Sequence, residues 1–151
     1  MPNRRQILAY AAAAPFASLA APAFAMTPKV YNEGGIAIDG SDTVAYFDEN
    51  GPVRGSPEFA VDWNGATWQF ANAENLAKFE ANPEAYAPQY GGYCAFAVSK
   101  GYTASTVPEA WSIHDGKLYL NFSRTVRARW ALNKRANIEA ADANWPDVLS
   151  A

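Results

Sequence analysis

The chain has 151 residues, half of them hydrophobic, 18% charged and 14% aromatic, with a formal net charge of −3. That length suits one domain with a substantial core and is short for two, and the composition excludes a disordered chain. A single Cys and a single His exclude an intramolecular disulfide and a four-ligand zinc site made of Cys and His alone, and any catalytic pair that needs an imidazole must use His114.

Residues 1–25 have the three-part layout of an export signal. Arg4 and Arg5 open it, an alanine-rich apolar stretch runs from Ile7 to Ala21, and Ala23-Phe24-Ala25 is the small-x-small pattern a signal peptidase accepts. The paired arginines followed by Gln6-Ile7-Leu8 resemble a twin-arginine signal. Pro15 and Pro22 interrupt the apolar run, which is short for a membrane span. The expectation is cleavage between Ala25 and Met26, a periplasmic protein, and no stable membrane anchor afterwards. Cleavage removes two Arg and no acid, so the remaining 126 residues carry 10 basic against 15 acidic side chains. A net charge near −5 argues against nucleic acid and anionic membrane surfaces as partners. The one local basic patch, Arg124, Arg127, Arg129, Lys134 and Arg135, has helical spacing with apolar residues between, and a solvated helix face accounts for it.

Residues 26–41 read as a polar, Gly-containing lead-in draped over the surface. Val44, Tyr46 and Phe47 read as a short strand ended by the turn signal Asn50-Gly51-Pro52. Phe59 to Trp63 and Ala66 to Phe70 alternate apolar and polar residues around Asn64-Gly65, the pattern of a tight hairpin. Asn72 caps a helix with Leu76 and Phe79 on its buried stripe, and Asn82-Pro83 ends it before a short helical piece up to Tyr86. Gln89 to Val98 then concentrates two glycines, two tyrosines and the sole thiol; Gly91-Gly92 predicts a tight turn delivering Cys94. A second hairpin is predicted around Asp115-Gly116. Trp111 and Ile113 share one face of it, Leu118, Leu120 and Phe122 share a face of the returning strand, and His114 lies beside the turn. Ser123 caps a last helix bearing Val126, Trp130, Leu132 and Ile138, which frays near Trp145, and residues 146–151 form a tail. The predicted fold class is α+β: two hairpins forming an antiparallel sheet packed with two or three helices.

Asp42-Thr43-Val44-Ala45-Tyr46-Phe47, the hairpin from Phe59 to Phe70, and Phe79, Asn82-Pro83-Glu84 and Tyr86 resemble a YHS domain over about 45 residues, Asp42 to Tyr86. Tyr86 to Ala95 and Asp115 to Asn121 extend the likeness to exported bacterial YHS proteins, so that a YHS-like domain with a C-terminal extension spans 42–145. The resemblance implies metal handling, since YHS domains of heavy-metal transporters carry cysteines near this hairpin. In this chain those positions are Ala45 and Ala71, and a further one falls near Glu74 or Asn75, so no ligand carries over.

What remains is Cys94 with His114. A thiolate and an imidazole suit copper, or another soft transition metal, if the fold brings the Gly91-Gly92 turn to the second hairpin. Otherwise Cys94 is a small buried hydrophobe and His114 a turn residue, or Cys94 is a reactive thiol. Tyr46, Trp68, Tyr90, Tyr93 and Trp111 are candidates for lining a small-molecule cleft, and equally for core. Asp39 and Asp42 read as turn formers on the lead-in. There is no Gly-rich phosphate loop, nucleotide fingerprint or nucleophile elbow. The functional expectations are therefore a non-enzymatic periplasmic protein binding a metal ion, copper first, or a small ligand near Cys94 and His114; a periplasmic protein-interaction module with a purely structural Cys; and a thiol-dependent redox protein.

Overall fold

The computed structural model describes Met26–Ser150, so the export signal expected at residues 1–25 lies outside the described residues. The fold is α+β. A four-stranded mixed sheet has the order β1-β2-β4-β3, with β1 Asn32–Glu33, β2 Ile36–Ala37, β3 Ser56–Trp63 and β4 Ala66–Phe70. A separate two-stranded sheet pairs β5 Trp111–His114 with β6 Lys117–Leu120. Six α-helices accompany them among the described residues. They are α1 Ala45–Asp48, α2 Ala73–Ala81, α3 Pro83–Tyr86, α4 Ala95–Ser99, α5 Arg124–Leu132 and α6 Lys134–Asn144.

Both predicted hairpins form, and their turns use the expected residues. Asn64 and Gly65 have φ of 50° and 83°, Asp115 and Gly116 φ of 51° and 74°, the double left-handed turn that suits the twist of paired strands. Asn72 Oδ1 accepts the Asn75 N–H at 2.8 Å and Ser123 Oγ accepts the Val126 N–H at 3.1 Å, so both predicted helix starts are capped by side chains.

The hairpins do not share one antiparallel sheet. The free edge of β4 is taken by β2, which pairs with it in parallel at Ile36 and Thr67, so the second hairpin has no edge there to join. Instead it forms a wall between two cores. Leu118 and Leu120 face the cluster of Tyr46, Trp68, Phe70 and Phe79; Tyr119, pointing the other way, joins Tyr90, Tyr93, Trp130 and Leu149. That alternation across one strand is the period-2 geometry of a pleated sheet.

Five other expectations are corrected, the last of them the tail at 146–151. The lead-in is part of the core: Gly34 and Gly35 turn it into the β1–β2 hairpin, and Val30, Tyr31, Ala37 and Ile38 are buried. Strands of two residues are too short to leave a periodic signal. Val44 to Phe47 is not a strand but enters α1, because Asp42 Oδ1 accepts the Ala45 N–H at 3.1 Å and closes a helical turn. The last helix is two helices, broken at Asn133 (φ −142°), and Leu132, expected on its buried stripe, lies on the outer side of the first and is 86% exposed. Phe122, expected beside Leu118 and Leu120, is 52% exposed because β6 ends at Leu120. Beyond Trp145, Val148 and Leu149 are buried, and the Leu149 carbonyl accepts the Thr27 N–H at 3.2 Å, which joins the last described residues to the first.

Candidate binding cleft and the surroundings of Cys94

Three consecutive residues, Tyr90, Gly91 and Gly92, adopt left-handed backbone with φ of 59°, 64° and 87°. At Gly91 only glycine fits: a Cβ there would lie 2.0 Å from the Lys29 carbonyl oxygen, while the Gly91 carbonyl accepts the Tyr31 N–H at 2.9 Å. This turn therefore does two things. It clamps the segment Lys29–Tyr31, and it sends the chain inward to Cys94.

Cys94 is 1% exposed. Its thiol donates to Asn121 Oδ1 at 3.4 Å, and its sulfur accepts the Phe122 N–H at 3.3 Å. Asn121 is fully buried; its Oδ1 also accepts the Phe96 N–H at 3.0 Å, while its Nδ2 has no partner among the described residues. The thiol thus stitches the start of α4 to the end of β6, and solvent does not reach it.

His114 sits at the other end of the same hairpin. It pairs with Lys117 beside the turn, and its Nε2 lies 3.5 Å from Asp115 Oδ2. It borders a small polar hollow of about 190 Å³ with Tyr119, Arg135, Glu139 and Asp142. From Lys117 to Leu120 the strand alone covers about 10 Å at ~3.3 Å per residue, and Cys94 contacts the chain two residues beyond. Copper ligand bonds near 2 Å do not bridge that separation. Among the described residues no group of three or more His, Cys, Asp or Glu side chains is arranged to hold a metal ion.

The aromatic candidates divide. Tyr46 is fully buried, donates to the Pro108 carbonyl at 2.8 Å and packs on Trp111 with ring centroids 5.5 Å apart. Tyr93 donates to the Pro28 carbonyl at 2.6 Å, holding the first described segment in place. These three are structural. Trp68 and Tyr90 instead border one cleft of about 330 Å³, together with Trp63, Gly91 and Trp145. Trp68 Nε1 donates to the Trp63 carbonyl at 2.9 Å, and Trp63 stands edge-on to Trp68 at 5.5 Å. Across the cleft Trp145 lies against Tyr90, centroids 6.1 Å apart. Lys29, Glu84 and Gln89 add polar groups. Trp63 and Trp145 were not among the sequence candidates. The hairpin turn beside Trp63 was readable, but the meeting of position 63 with position 145 depends on how α6 packs. Burial, and the carboxylate of Asp142 receiving its hydroxyl at 2.8 Å, push the Tyr90 pKa well up, so this hydroxyl stays a neutral donor.

A further polar centre lies at Asp42, whose sequence context suggests only a turn former. Asp42 is fully buried; Oδ1 accepts the Ala45 N–H, and Oδ2 accepts the Ala71 N–H at 2.9 Å and the Asn75 amide at 2.8 Å. One carboxylate thereby gathers α1, the end of β4 and α2. Comparison with family models, with curated proteins and with solved structures finds no match to the chain.

Proposed function

We propose that this chain is an exported, non-enzymatic YHS-like protein of the periplasm that binds a small, partly apolar ligand in the cleft between Trp63 and Trp145. The cleft carries the reading. Its volume, about 330 Å³, lies at the lower end of the ~300–1,000 Å³ typical of small-molecule sites, and aromatic walls with a few polar groups are the usual lining of such sites. The turn that delivers Cys94 also builds the cleft wall at Tyr90 and Gly91, so the ligand site is next to the segment singled out by sequence. Export rests on the layout of residues 1–25.

The YHS reading draws support from Asp42. Asp42 matches the opening Asp of the YHS pattern, and its carboxylate receives the backbone N–H groups of Ala45 and Ala71, two positions where the metal-transporter pattern has cysteine, and the side-chain amide of Asn75; the third such position falls near Glu74 or Asn75. A copper ion shared by Cys94 and His114, the first expectation from sequence, is not favoured, since a thiol buried on Asn121 and a turn imidazole face different surroundings.

The test is an NMR titration of the folded protein with indole as a probe of the cleft, beside copper analysis of the wild type and Cys94→Ala. Shifts at the Trp63 and Trp145 side chains that vanish in Trp145→Ala, with copper content unaffected by Cys94→Ala, are expected. No indole response, or copper bound by the wild type and lost in Cys94→Ala, would overturn the reading.

A further inference from the structure

The charge of this chain is partitioned. Between Gly116 and Ile138 there are six cations, Lys117, Arg124, Arg127, Arg129, Lys134 and Arg135, and no acid; the rest of Met26–Ser150 has four cations and fifteen acids. The structure collects most of the six on α5 and the start of α6. The inward side of α5 is Val126 and Trp130, of which Trp130 is fully buried, and the remaining positions face out. Leu132, 86% exposed, lies on that outer side between Arg129 and Arg135, and Phe122, 52% exposed, precedes the helix.

Among the described residues none of these cations lies within ion-pair distance of a carboxylate. Among the described residues the ion pairs are Lys78 with Asp48 and Glu74, and His114 with Asp115. Arg127 Nε is held by Ser112 Oγ at 2.9 Å, and Lys134 lies over the Trp130 ring at 5.7 Å. Arg124, Arg129 and Arg135 are left exposed. The placement also runs against local stability. Arg124 opens α5, Lys134 and Arg135 open α6, and neither helix has an acid in its first turn, although a helix start favours anions. Asn133 adds no side-chain cap to α6. Local rules are broken at two consecutive helix starts, and among the described residues no ion pair offsets this at Arg124, Arg129 or Arg135, although Arg135 shares a hollow with Glu139 and Asp142. Such a breach marks a surface kept for something outside the chain.

We propose that the outer face of α5 and the start of α6 is a docking surface for an acidic segment of another polypeptide, one that sets an apolar side chain on Leu132 between carboxylates received by Arg124, Arg129 and Arg135. Charge complementarity selects the acidic partner. A polypeptide fits better than a bilayer because the continuous apolar stripe of α5 is buried in the core, whereas a helix that lies in a membrane surface presents that stripe to lipid. Guanidinium groups match carboxylates in a planar, two-bond geometry, and arginine is enriched at protein interfaces. Arg124 to Leu132 spans about 12 Å at ~1.5 Å rise per residue, a length that four or five extended residues cover.

The test is fluorescence anisotropy of the labelled peptide Glu-Asp-Glu-Leu-Glu-Asp-Glu with the folded chain at low and moderate salt. Expected is saturable binding that weakens with salt. It falls by at least about tenfold, ~1.4 kcal/mol, in the triple variant Arg124→Glu/Arg129→Glu/Arg135→Glu, and by about fivefold in Leu132→Ser or when the peptide's Leu becomes Ser. The melting temperatures of these surface variants are expected to stay at or above that of the wild type. Four results would each overturn the proposal: no saturation, equal binding by the triple variant, no effect of either Ser substitution, or phosphatidylglycerol vesicles binding the protein without competition from the peptide. Concentration-dependent self-association lost in the triple variant would assign the face to a second copy of this chain instead.

Discussion

Asp42 and Asn121 occupy equivalent roles in the two halves of the molecule, and they are satisfied differently. Each is fully buried and gathers separate elements onto one side chain. Asp42 receives three N–H groups, from Ala45, Ala71 and Asn75. Asn121 receives the Phe96 N–H and the Cys94 thiol on Oδ1, and its Nδ2 goes without a partner. A buried group with every bond made locks its surroundings, while one left short lowers the stability it confers. Thr43 Oγ1 beside Asp42 and Trp130 Nε1 in the second core are also without a partner among the described residues, so the contrast rests on the two organising side chains. The half held by Asp42 is expected to be the more tightly fixed, and the second, built on stacked tyrosines, the one that yields first.

Alkaline pH should break that balance most completely. Burial raises the pKa of Tyr31, Tyr90, Tyr93 and Tyr119 in the second core, with Asp39 adding to it at Tyr31 and Asp142 at Tyr90 and Tyr119. Tyr46, raised chiefly by burial, is the one fully buried tyrosine of the first core among the described residues. A folded pKa above the unfolded one means the folded chain holds its proton longer. Stability is then complete below about pH 10 and declines as pH rises beyond it. Phenolate absorbance and circular dichroism followed together should show ionisation arriving with unfolding, and hydrogen exchange should place the first loss at α4, α6 and β6. Ionisation of Tyr31, Tyr90, Tyr93 and Tyr119 near pH 10 with the fold intact would contradict this.

Among substitutions, Asp42→Ala is expected to cost the most, about 4 kcal/mol, because three donors lose their acceptor, two of them in fully buried bonds. Urea unfolding measures it, and a loss under about 1 kcal/mol would show that the carboxylate is not the organiser of the first half. Gly91→Ala comes next, at about 2–3 kcal/mol, since the added Cβ meets the Lys29 carbonyl in a left-handed backbone. It should also free Lys29–Tyr31 and open the cleft at Trp145, readable as a change in tryptophan fluorescence. Unchanged stability there would mean that the clamp carries no weight.

These contrasts also explain what was legible beforehand. Asn64-Gly65, Asp115-Gly116, Asn72 and Ser123 act on neighbours within three residues, so their chemistry can be read in place. Asp42 looked like a turn former because one of its bonds, to Ala45, is local; the two that matter more reach 29 and 33 residues along the chain. The cleft was half visible. Trp68 and Tyr90 were candidates, but Trp63 and Trp145 join them only through packing of the second core on the first hairpin. Cys94 and His114 were paired on chemistry alone, and the length of β6 keeps them apart.

The smallest expected effect tests Asn121 most directly. Sulfur makes weak hydrogen bonds, and a buried thiol behaves largely as a small hydrophobe, so Cys94→Ala should cost about 1 kcal/mol. Asn121→Ala should cost about 2 kcal/mol, roughly half the Asp42 loss, because it strands the Phe96 N–H but also removes the orphaned Nδ2. In the double variant the two losses should fall short of additivity by about 0.5–1 kcal/mol, the coupling expected of residues in one hydrogen-bonded contact. Thiol labelling adds a kinetic reading. With 1% exposure, Cys94 should react only as the protein opens, so its labelling rate should fall with added stabiliser in step with the unfolding equilibrium. Rapid labelling of the native protein, or strict additivity of the two substitutions, would mean that Cys94 and Asn121 do not act together and that the second half is held by its aromatic packing alone.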